Sequence, residues 1–506
     1  MRVVSGVAPR TWLYALVALT LVFKVWLSAV FPITGDEAYF IDWGQRPAPG
    51  YYDHPPMVGW WLALLTQLSQ APWVLRLPAT LMPALMALAL YGLFRRNDED
   101  KAALAAIGLL LVPIHVWNVF ITTDTPLVFF SFLSGLAYWR ASRPGASHAW
   151  HVAAGIFLGL ACLSKYFAAL LGLSFLVHAL LAGERRHRIG FLMACVSALP
   201  FVGFNLYWNY GNCWANFMFN LYNRHGGAGL SWRNPLLFVA MLLYVLPIPA
   251  LLGGLRARAW RVQGLDAQTL LLLVLAIFPW LMFAGLSTVR QVGLHWVLSF
   301  VPFFFAAGAM LLERQTLRRT AMLAGAFSLV HVILIAVAAA MPMERWQGNR
   351  LYDGIVFHFR IDDVLKVLAS HEAQFEIAAD GYSAAATLSY YRGSPVFVFG
   401  EASSHARHDD LMTDFRSLQG KNIAVLRKTP PAEADYQPYF ASVEYQSFTL
   451  AGAQFHLVLG RQFDYPAYRD RILAQARDRY YRIPSYLPQG GCSFCERYFS
   501  AYCPLR

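Results

Sequence analysis

Eleven apolar stretches along the 506-residue chain constrain its fold more than any other feature. Each approaches the ~20 residues that a helix needs to cross the hydrocarbon core of a bilayer. The stretches lie at 11–31, 73–94, 102–121, 124–139, 150–164, 166–182, 190–208, 235–255, 268–287, 295–312 and 320–341. Charged residues make up 14% of the chain, whereas soluble domains carry about 25%. The sequence therefore excludes a soluble or disordered protein and predicts a polytopic α-helical membrane protein.

The distribution of Lys and Arg between the loops predicts the orientation of the chain. With a cytoplasmic N-terminus, the inner loops hold sixteen basic residues and the outer loops hold five. Basic residues favour the cytoplasmic side of a membrane protein. We therefore expect a cytoplasmic N-terminus and a C-terminus on the outer side. The formal net charge of +12 reflects this bias, so we expect no nucleic-acid partner.

The chain changes character after residue 341, which predicts a transmembrane domain at 1–341 and an outer domain at 342–506. In the outer domain, short apolar runs alternate with helical patterns, as in a small αβα domain with a mostly parallel sheet. The predicted strands are Phe375–Ala379, Pro395–Phe399, Asn422–Leu426, Tyr445–Leu450 and Gln454–Leu459, and the last two form a hairpin through Ala451–Gly452. The predicted helices are Ile361–Gln374, Ser383–Tyr391 and Ser404–Gln419.

Four of the six cysteines fall on the predicted outer side, namely Cys213, Cys492, Cys495 and Cys503. The Cys-x-x-Cys pair within this set could bind zinc, but the sequence shows no fourth ligand at a regular spacing. Disulfides form and persist in oxidising compartments. We therefore expect at least one disulfide among these four cysteines, with a structural role.

Three charged residues interrupt the apolar part of the chain near the predicted outer ends of spans. They are Asp124, Lys165 and Arg290. Charges at membrane depth are costly, so they normally face a polar cavity or a partner. Because all three are predicted on the same side of the membrane, we expect them to share a site.

The first outer loop is the densest polar stretch between the predicted spans. It carries Asp36 and Glu37, and then Asp53 and His54 ahead of two prolines. A carboxylate in this loop could take a proton from an acceptor hydroxyl or amine, or hold a metal ion. The basic candidates for neutralising a phosphate are His54, Lys165, Arg290 and His295. Tyr39 and Tyr51 are candidates for stacking on a sugar.

These residues resemble the bacterial GT-C glycosyltransferases of the family 39/83 group. The resemblance rests on Gly35-Asp36-Glu37-Ala38-Tyr39, Asp53-His54-Pro55-Pro56-Met57, Thr122-Thr123-Asp124, Leu163-Ser164-Lys165-Tyr166 and His295-Trp296. The group includes protein O-mannosyltransferases, the aminoarabinose transferase of lipid A and lipopolysaccharide galacturonosyltransferases. The resemblance covers most of 1–341 and extends to no motif of the outer domain.

The resemblance implies a GT-C fold with about 11–13 membrane helices and a periplasmic α/β domain. It also implies inverting transfer of a sugar from a polyprenyl-phosphate donor to a lipid A, polysaccharide or protein acceptor at the periplasmic face of the inner membrane. The candidate catalytic residues are Asp36, Glu37 and Asp124, with Asp36 in the position of the base. The candidate substrate-binding residues are Asp53, His54, Lys165, Arg290, His295, Tyr39 and Tyr51. A divalent metal cofactor is left open, and membrane lipids are the other expected partners.

Two other classes of protein are also considered. A transporter or flippase of lipid-linked sugars has ten or more spans, but usually shows paired halves with broken helices at mid-membrane. A membrane scaffold would not require Asp36, Asp124, Lys165 and Arg290 together. Within the glycosyltransferase class, transfer to a protein remains an alternative to transfer to a lipid or glycan.

Overall fold

The computed structural model describes residues 7–223, 229–256 and 265–500. The chain forms two compact units. The helical unit comprises Met1–Phe31, Ala71–Phe204 and Gly227–Ala339, and the sheet unit comprises Pro32–Gln70, Asn205–Gly226 and Ala340–Arg506. The last segment of the sheet unit begins at Ala340, and the predicted domain boundary at 341/342 stays a prediction. Two earlier segments, which contain the first outer loop and the asparagine-rich stretch after residue 204, fold together with that last segment.

Six helices within the described residues are long and apolar enough to cross a membrane. They are Pro9–Val30, Leu77–Phe94, Arg185–Gly211, Ala267–Ser287, Leu294–Leu311 and Arg314–Ala340. A seventh span is counted if Arg233–Val245 and Ile248–Arg256, which are bent by 97°, form one broken span. The other predicted stretches are helical but shorter or less apolar, as Glu99–Leu110, Pro113–Trp117, Asp124–Ala141, Ala149–Cys162 and Ala169–Ala182. The predicted polytopic helical protein is confirmed.

Prolines explain where two of the predicted spans break. Pro113 begins a helix after Val112, and Leu246 precedes Pro247. Both Val112 and Leu246 are extended, with ψ of 126° and 106°. A residue before proline is pushed out of the α region by the proline ring, so the helix before it ends there.

A proline also explains the buried charge of the first span. Pro83 lies inside the Leu77–Phe94 helix and has no N–H to donate to the carbonyl of Ala79, four residues earlier. The Nζ of Lys24 donates to that carbonyl at 2.9 Å and to the carbonyl of His115 at 3.1 Å. Lys24 therefore joins three helices of the helical unit by satisfying backbone oxygens.

Within the described residues, the sheet unit is built on five strands. They are β1 (Glu376–Ala379), β2 (Phe397–Val398), β3 (Ile423–Arg427), β4 (Phe440–Leu450) and β5 (Ala453–Phe463). The strand order is β2-β1-β3-β5-β4, in which β2, β1 and β3 are parallel and β5 and β4 are antiparallel. The predicted hairpin is confirmed, with Ala451 and Gly452 at positive φ in its turn. The sheet is mixed, because the hairpin adds two antiparallel strands to the parallel part.

Both faces of this sheet are covered, as expected for an αβα domain. Ile377 and Ala379 of β1 face a core that also contains the helices Tyr352–Phe359, Ile361–Ala369 and Tyr382–Arg392. Ala378 of β1 faces a second core formed with Tyr468, Tyr481 and Phe494. Alternate residues of a strand point to opposite faces, so strands buried on both sides read as continuous apolar runs.

The predicted helix over Ser404–Gln419 is wrong. Only two short turns form there, Asp409–Met412 and Phe415–Leu418. Ala406 adopts φ of +67°, and its N–H donates to the carboxylate of Asp410 at 2.7 Å. The ring of His405 contacts the same carboxylate at 2.6 Å. Hydrogen bonds from an Asp side chain to nearby backbone compete with helix formation, and the segment 405–410 becomes a buried polar loop.

A disulfide joins Cys213 to Cys492 across 279 residues of sequence. Both cysteines belong to the sheet unit, and the N–H of Cys213 donates to the carbonyl of Gly491 at 2.8 Å. The predicted disulfide among these cysteines is therefore confirmed. Cys503 lies outside the described residues.

Candidate functional site

Asp36 and Glu37 are neighbours at the start of one helix but differ in accessibility. The helix Gly35–Gln45 begins after Thr34, whose N–H and hydroxyl both donate to Glu37 Oε2 at 3.0 Å. Glu37 thus closes a capping box at the start of the helix, and it is fully buried. Asp36 lies in the same first turn with its side chain exposed. A negative charge is favourable there because the N-terminal end of a helix is partially positive.

One oxygen of Asp36 is held by a tyrosine that the sequence analysis did not single out. The hydroxyl of Tyr382 donates to Asp36 Oδ1 at 2.9 Å. Tyr382 is the first residue of the helix Tyr382–Arg392. A Cβ on Gly35 would lie 1.7 Å from Ser383 Oγ, so only glycine at position 35 lets the two helix starts approach this closely.

Asp53 is buried at the centre of a polar network in the sheet unit. Its Oδ1 forms an ion pair with Arg407 at 3.1 Å, and its Oδ2 accepts a hydrogen bond from the hydroxyl of Tyr39. The Tyr39 hydroxyl oxygen in turn accepts the N–H of His408 at 2.7 Å. Burial, followed by the charge of Asp53, raises the pKa of Tyr39 well above its ordinary value. Tyr39 therefore remains a protonated donor to Asp53.

Arg407 links this network to Tyr382. Its guanidinium lies 4.4 Å from the ring centre of Tyr382 and 4.9 Å from that of Phe219. Burial is the largest single influence on the pKa of Arg407 and would lower it, but the charge of and hydrogen bond to Asp53, together with Tyr39 and Tyr382, raise it overall. The side chain is thus a permanent cation held between two aromatic faces.

Tyr51 and His54 pack inside the first loop. The Tyr51 ring stacks on Trp43 at 4.3 Å, and its hydroxyl donates to the Trp43 carbonyl at 2.9 Å. The N–H of Tyr51 donates to the carbonyl of His54 at 3.2 Å, and the His54 ring lies 6.1 Å from that of Phe219. Tyr51 is fully buried and His54 is buried. Their predicted contacts with a sugar or phosphate remain predictions.

Two aspartates of the 405–410 loop have different surroundings. Asp410 is hydrogen-bonded by Ala406, by His405 and by the hydroxyl of Tyr481. Asp409 is equally buried, but its Oδ2 has no hydrogen-bond partner among the described residues. Burial, together with the charge of Asp42 and other nearby aspartates, raises the pKa of Asp409 to about 8. Asp409 is therefore largely protonated at neutral pH.

In the helical unit, Asp124 and Lys165 form a buried ion pair. The Nζ of Lys165 contacts the two carboxylate oxygens at 2.9 and 3.0 Å. Asp124 begins the helix Asp124–Ala141, and Lys165 follows the helix Ala149–Cys162 directly. Asp124 lines a cavity together with four other polar side chains, which are His115, Asn118, Thr122 and Thr125. The sequence predicted one site shared by Asp124, Lys165 and Arg290. The ion pair joins the first two of them, and the shared functional site stays a prediction.

Arg290 and His295 follow the helix Ala267–Ser287 within the helical unit. His295 lies on the turn Leu294–Trp296 with its side chain exposed, and Arg290 is half-buried. The Trp296 ring lies 4.5 Å from that of Phe167, which is itself 5.8 Å from the Nζ of Lys165. This turn therefore packs beside the Asp124–Lys165 pair through two aromatic rings.

The described part of the chain contains no group of three His, Cys, Asp or Glu side chains arranged to hold a metal ion. The sequence analysis missed Tyr382, Arg407, His408 and Asp409. The one available signal for three of them was the polar run His405-Ala406-Arg407-His408-Asp409-Asp410 in a domain otherwise built from short apolar strands. Tyr382 carried no signal, because an isolated tyrosine at the start of a helix is unremarkable in sequence.

The chain resembles known glycosyltransferases in sequence and in structure. The profile of a family described as dolichyl-phosphate-mannose-protein mannosyltransferase matches residues 53–208, which include Asp53, Asp124 and Lys165. Crystal structures of ArnT from Cupriavidus metallidurans cover 88% of this chain and 98% of their own. The apo state superposes with a TM-score of 0.60 at 15% identity. The complex with undecaprenyl phosphate gives 0.58 at 16% identity.

The chain has the GT-C fold of these structures. A curated GT-C relative, the lipid A galacturonosyltransferase RgtD of Rhizobium johnstonii, is 32% identical over 218 residues. That match covers 40% of this chain and 44% of RgtD, so the chain spans less than half the length of this relative. The GT-C resemblance read from the sequence is confirmed, and the roles of individual residues stay predictions.

Proposed function

We propose that this protein is an inverting glycosyltransferase of the bacterial inner membrane. It transfers a sugar from a polyprenyl-phosphate donor to lipid A or a related glycolipid at the periplasmic face. Three findings support the proposal: the GT-C fold, the relative named as a lipid A galacturonosyltransferase, and the structural neighbour crystallised with undecaprenyl phosphate. The oxidised Cys213–Cys492 pair is consistent with a sheet unit that lies in the periplasm.

The proposal depends above all on the exposure and the hydrogen bonding of Asp36. It is an exposed carboxylate at a helix N-terminus, and one of its oxygens is engaged by the neutral hydroxyl of Tyr382. A general base needs an accessible lone pair and a geometry fixed before the reaction. We assign Asp36 this role, with Oδ2 as the atom that receives the proton.

In the proposed step, an acceptor hydroxyl oxygen attacks the anomeric carbon of the donor sugar from the face opposite the phosphate. A new carbon–oxygen bond forms as the bond between the anomeric carbon and the phosphate oxygen breaks. Asp36 takes the hydroxyl proton, and the electron pair of the broken bond leaves with the polyprenyl phosphate. A single displacement of this kind inverts the configuration at the anomeric carbon.

For the donor phosphate we propose Lys165, supported by Arg290 and His295. The ammonium group carries three N–H donors, and the contacts to Asp124 use two of them. We assign the third N–H to a phosphate oxygen. Asp124 then serves to hold the ammonium group in one orientation, because both of its oxygens are committed to Lys165.

The test is transfer by the purified protein in lipid nanodiscs, with a radiolabelled polyprenyl-phosphate sugar and two acceptors in separate reactions. One acceptor is lipid A, and the other is a mixture of envelope proteins. Label in the lipid fraction supports the proposal. Label only in the protein fraction would instead favour the mannosyltransferase-like activity suggested by the family profile. Absence of label from both fractions would refute both activities.

A further inference from the structure

Tyr382 has the features of a side chain fixed in place toward Asp36. Burial, with a smaller contribution from the charge of Asp36, raises the pKa of Tyr382 to about 12. The hydroxyl therefore stays protonated and donates throughout the neutral range. Among the described residues, the Tyr382 hydroxyl forms one hydrogen bond, which it donates to Asp36 Oδ1 at 2.9 Å.

The ring of Tyr382 is held from two directions. The guanidinium of Arg407 lies 4.4 Å from its centre, and the ring of Tyr39 lies at 4.9 Å. Both neighbours are themselves anchored on Asp53, Arg407 through its ion pair and Tyr39 through its hydroxyl. The buried carboxylate of Asp53 thus holds Arg407 and Tyr39 in place, and these two side chains in turn hold the ring of Tyr382. Geometry at Asp36 therefore depends on residues from the C-terminal part of the chain.

Two other tyrosines of the same helix provide a contrast. The Tyr390 hydroxyl donates to the carbonyl of Gln70 at 2.8 Å, and the Tyr391 hydroxyl accepts the N–H of Ile33 at 3.0 Å. All three tyrosines bind the 32–70 segment. Tyr390 and Tyr391 reach backbone atoms there, as expected of side chains that only attach one segment to another. Tyr382 reaches an exposed carboxylate.

We propose that Tyr382 is a positioning residue for the Asp36 base, so that the C-terminal domain supplies part of the catalytic apparatus. The inference rests on the function proposed above. By engaging Oδ1, Tyr382 fixes the plane of the carboxylate and leaves Oδ2 turned toward the acceptor hydroxyl. A carboxylate that rotates freely would spend most of its time in other orientations, and misplacement of a catalytic group by about 1 Å can cost 100-fold in rate.

The experiment compares Tyr382→Phe with Tyr390→Phe as a matched control. Each change removes one hydroxyl from the same helix and one hydrogen bond to the 32–70 segment. For Tyr382→Phe we expect kcat to fall about 10- to 100-fold, because a hydrogen bond to a charged group is lost. The KM for the donor and the melting temperature should match those of Tyr390→Phe, whose kcat should stay within twofold of wild type.

Other results would overturn the inference. Near-normal kcat in Tyr382→Phe would show that the hydroxyl does not matter to the reaction. A loss of kcat that came with an equal loss of donor affinity or of melting temperature would show a purely structural role. Asp36→Asn is measured alongside: if it turns over normally, the assignment of the base fails. If it is inactive while Tyr382→Phe is active, only the inference about Tyr382 fails.

Discussion

The two units each contain an aspartate that the sequence predicted to be catalytic, and their surroundings differ. Asp124 in the helical unit is buried, and both of its oxygens contact the ammonium of Lys165. Asp36 in the sheet unit is exposed, and the contact to its Oδ1 comes from a neutral hydroxyl. Both oxygens of Asp124 are committed to an ion pair, whereas Asp36 is accessible to solvent. The difference favours the proposed roles, with Asp36 as the base and Asp124 as the residue that orients Lys165.

The largest effect is expected from Asp36→Asn, which tests this comparison directly. The substitution keeps the shape and much of the hydrogen bonding but removes the proton acceptor. Transfer should fall by about 10²–10⁴-fold, the usual contribution of a general base. Donor binding and the melting temperature should stay unchanged, because the side chain is exposed. Asp362→Asn, on an exposed position of the sheet unit, is the control; an Asp36→Asn enzyme with near-normal turnover would remove Asp36 from the mechanism.

Lys165→Met should act on stability as well as on binding. It leaves the Asp124 carboxylate buried without its cation, and breaking such a pair costs about 3–5 kcal/mol. We therefore expect a clear fall in the melting temperature together with donor binding weakened by about 5- to 150-fold. The double variant Asp124→Asn/Lys165→Met should regain much of the stability but none of the binding. Full recovery of donor binding in the double variant would contradict a phosphate contact by Lys165.

The disulfide provides a third test, confined to the sheet unit. Cys213→Ser/Cys492→Ser opens a link between positions 279 residues apart. Loss of a native disulfide from a folded domain typically costs about 2–5 kcal/mol. We expect a lower melting temperature in the variant, and a decrease at least as large when the wild type is measured under reducing conditions, because a reductant also opens the disulfide of Cys495. An unchanged melting temperature in both measurements would show that the bond adds no stability to this unit.

The sequence predicted the parts of this molecule whose signals are local. Apolar length located the helices, and alternation of short apolar runs with helical patterns located the strands. The motif around Asp36 and the one around Asp124 gave the fold family. By contrast, the contacts of Asp36 with Tyr382 and of Asp53 with Arg407 join positions 346 and 354 residues apart, and no periodicity reports such pairs. The 405–410 loop was read as helix because the hydrogen bonds of Asp410 that prevent a helix depend on its burial.

Asp409 should make the stability of the sheet unit depend on pH. Its folded-state pKa is raised to about 8, above the ordinary value of 3.8, so the folded state holds a proton that the unfolded state has lost. The resulting stability is present at low pH and is lost as the pH rises toward 8.

The clearest window for this measurement is pH 7 to 8. His408 interferes little there: burial lowers its pKa to about 3, so it is neutral in the folded state, and with its ordinary value of 6.5 it is mostly neutral in the unfolded state. Wild type should lose up to about 1.4 kcal/mol across this unit of pH. The free energy of unfolding of Asp409→Asn should fall less over the same pH range. Parallel slopes in unfolding titrations of the two proteins would contradict a buried, protonated Asp409.

The smallest effect is expected at Glu37, which lies next to Asp36 in sequence and was predicted with it as catalytic. Glu37 is fully buried and its Oε2 accepts two hydrogen bonds from Thr34, so its part in the fold is to close the start of the Gly35–Gln45 helix. Glu37→Gln keeps an oxygen for this capping box, and the loss of stability should be at most about 1 kcal/mol. Transfer should stay within twofold of wild type when it is assayed beside Asp36→Asn. A drop of 100-fold or more in Glu37→Gln, at an unchanged melting temperature, would return Glu37 to the catalytic set and weaken the case for Asp36 as the sole base of this loop.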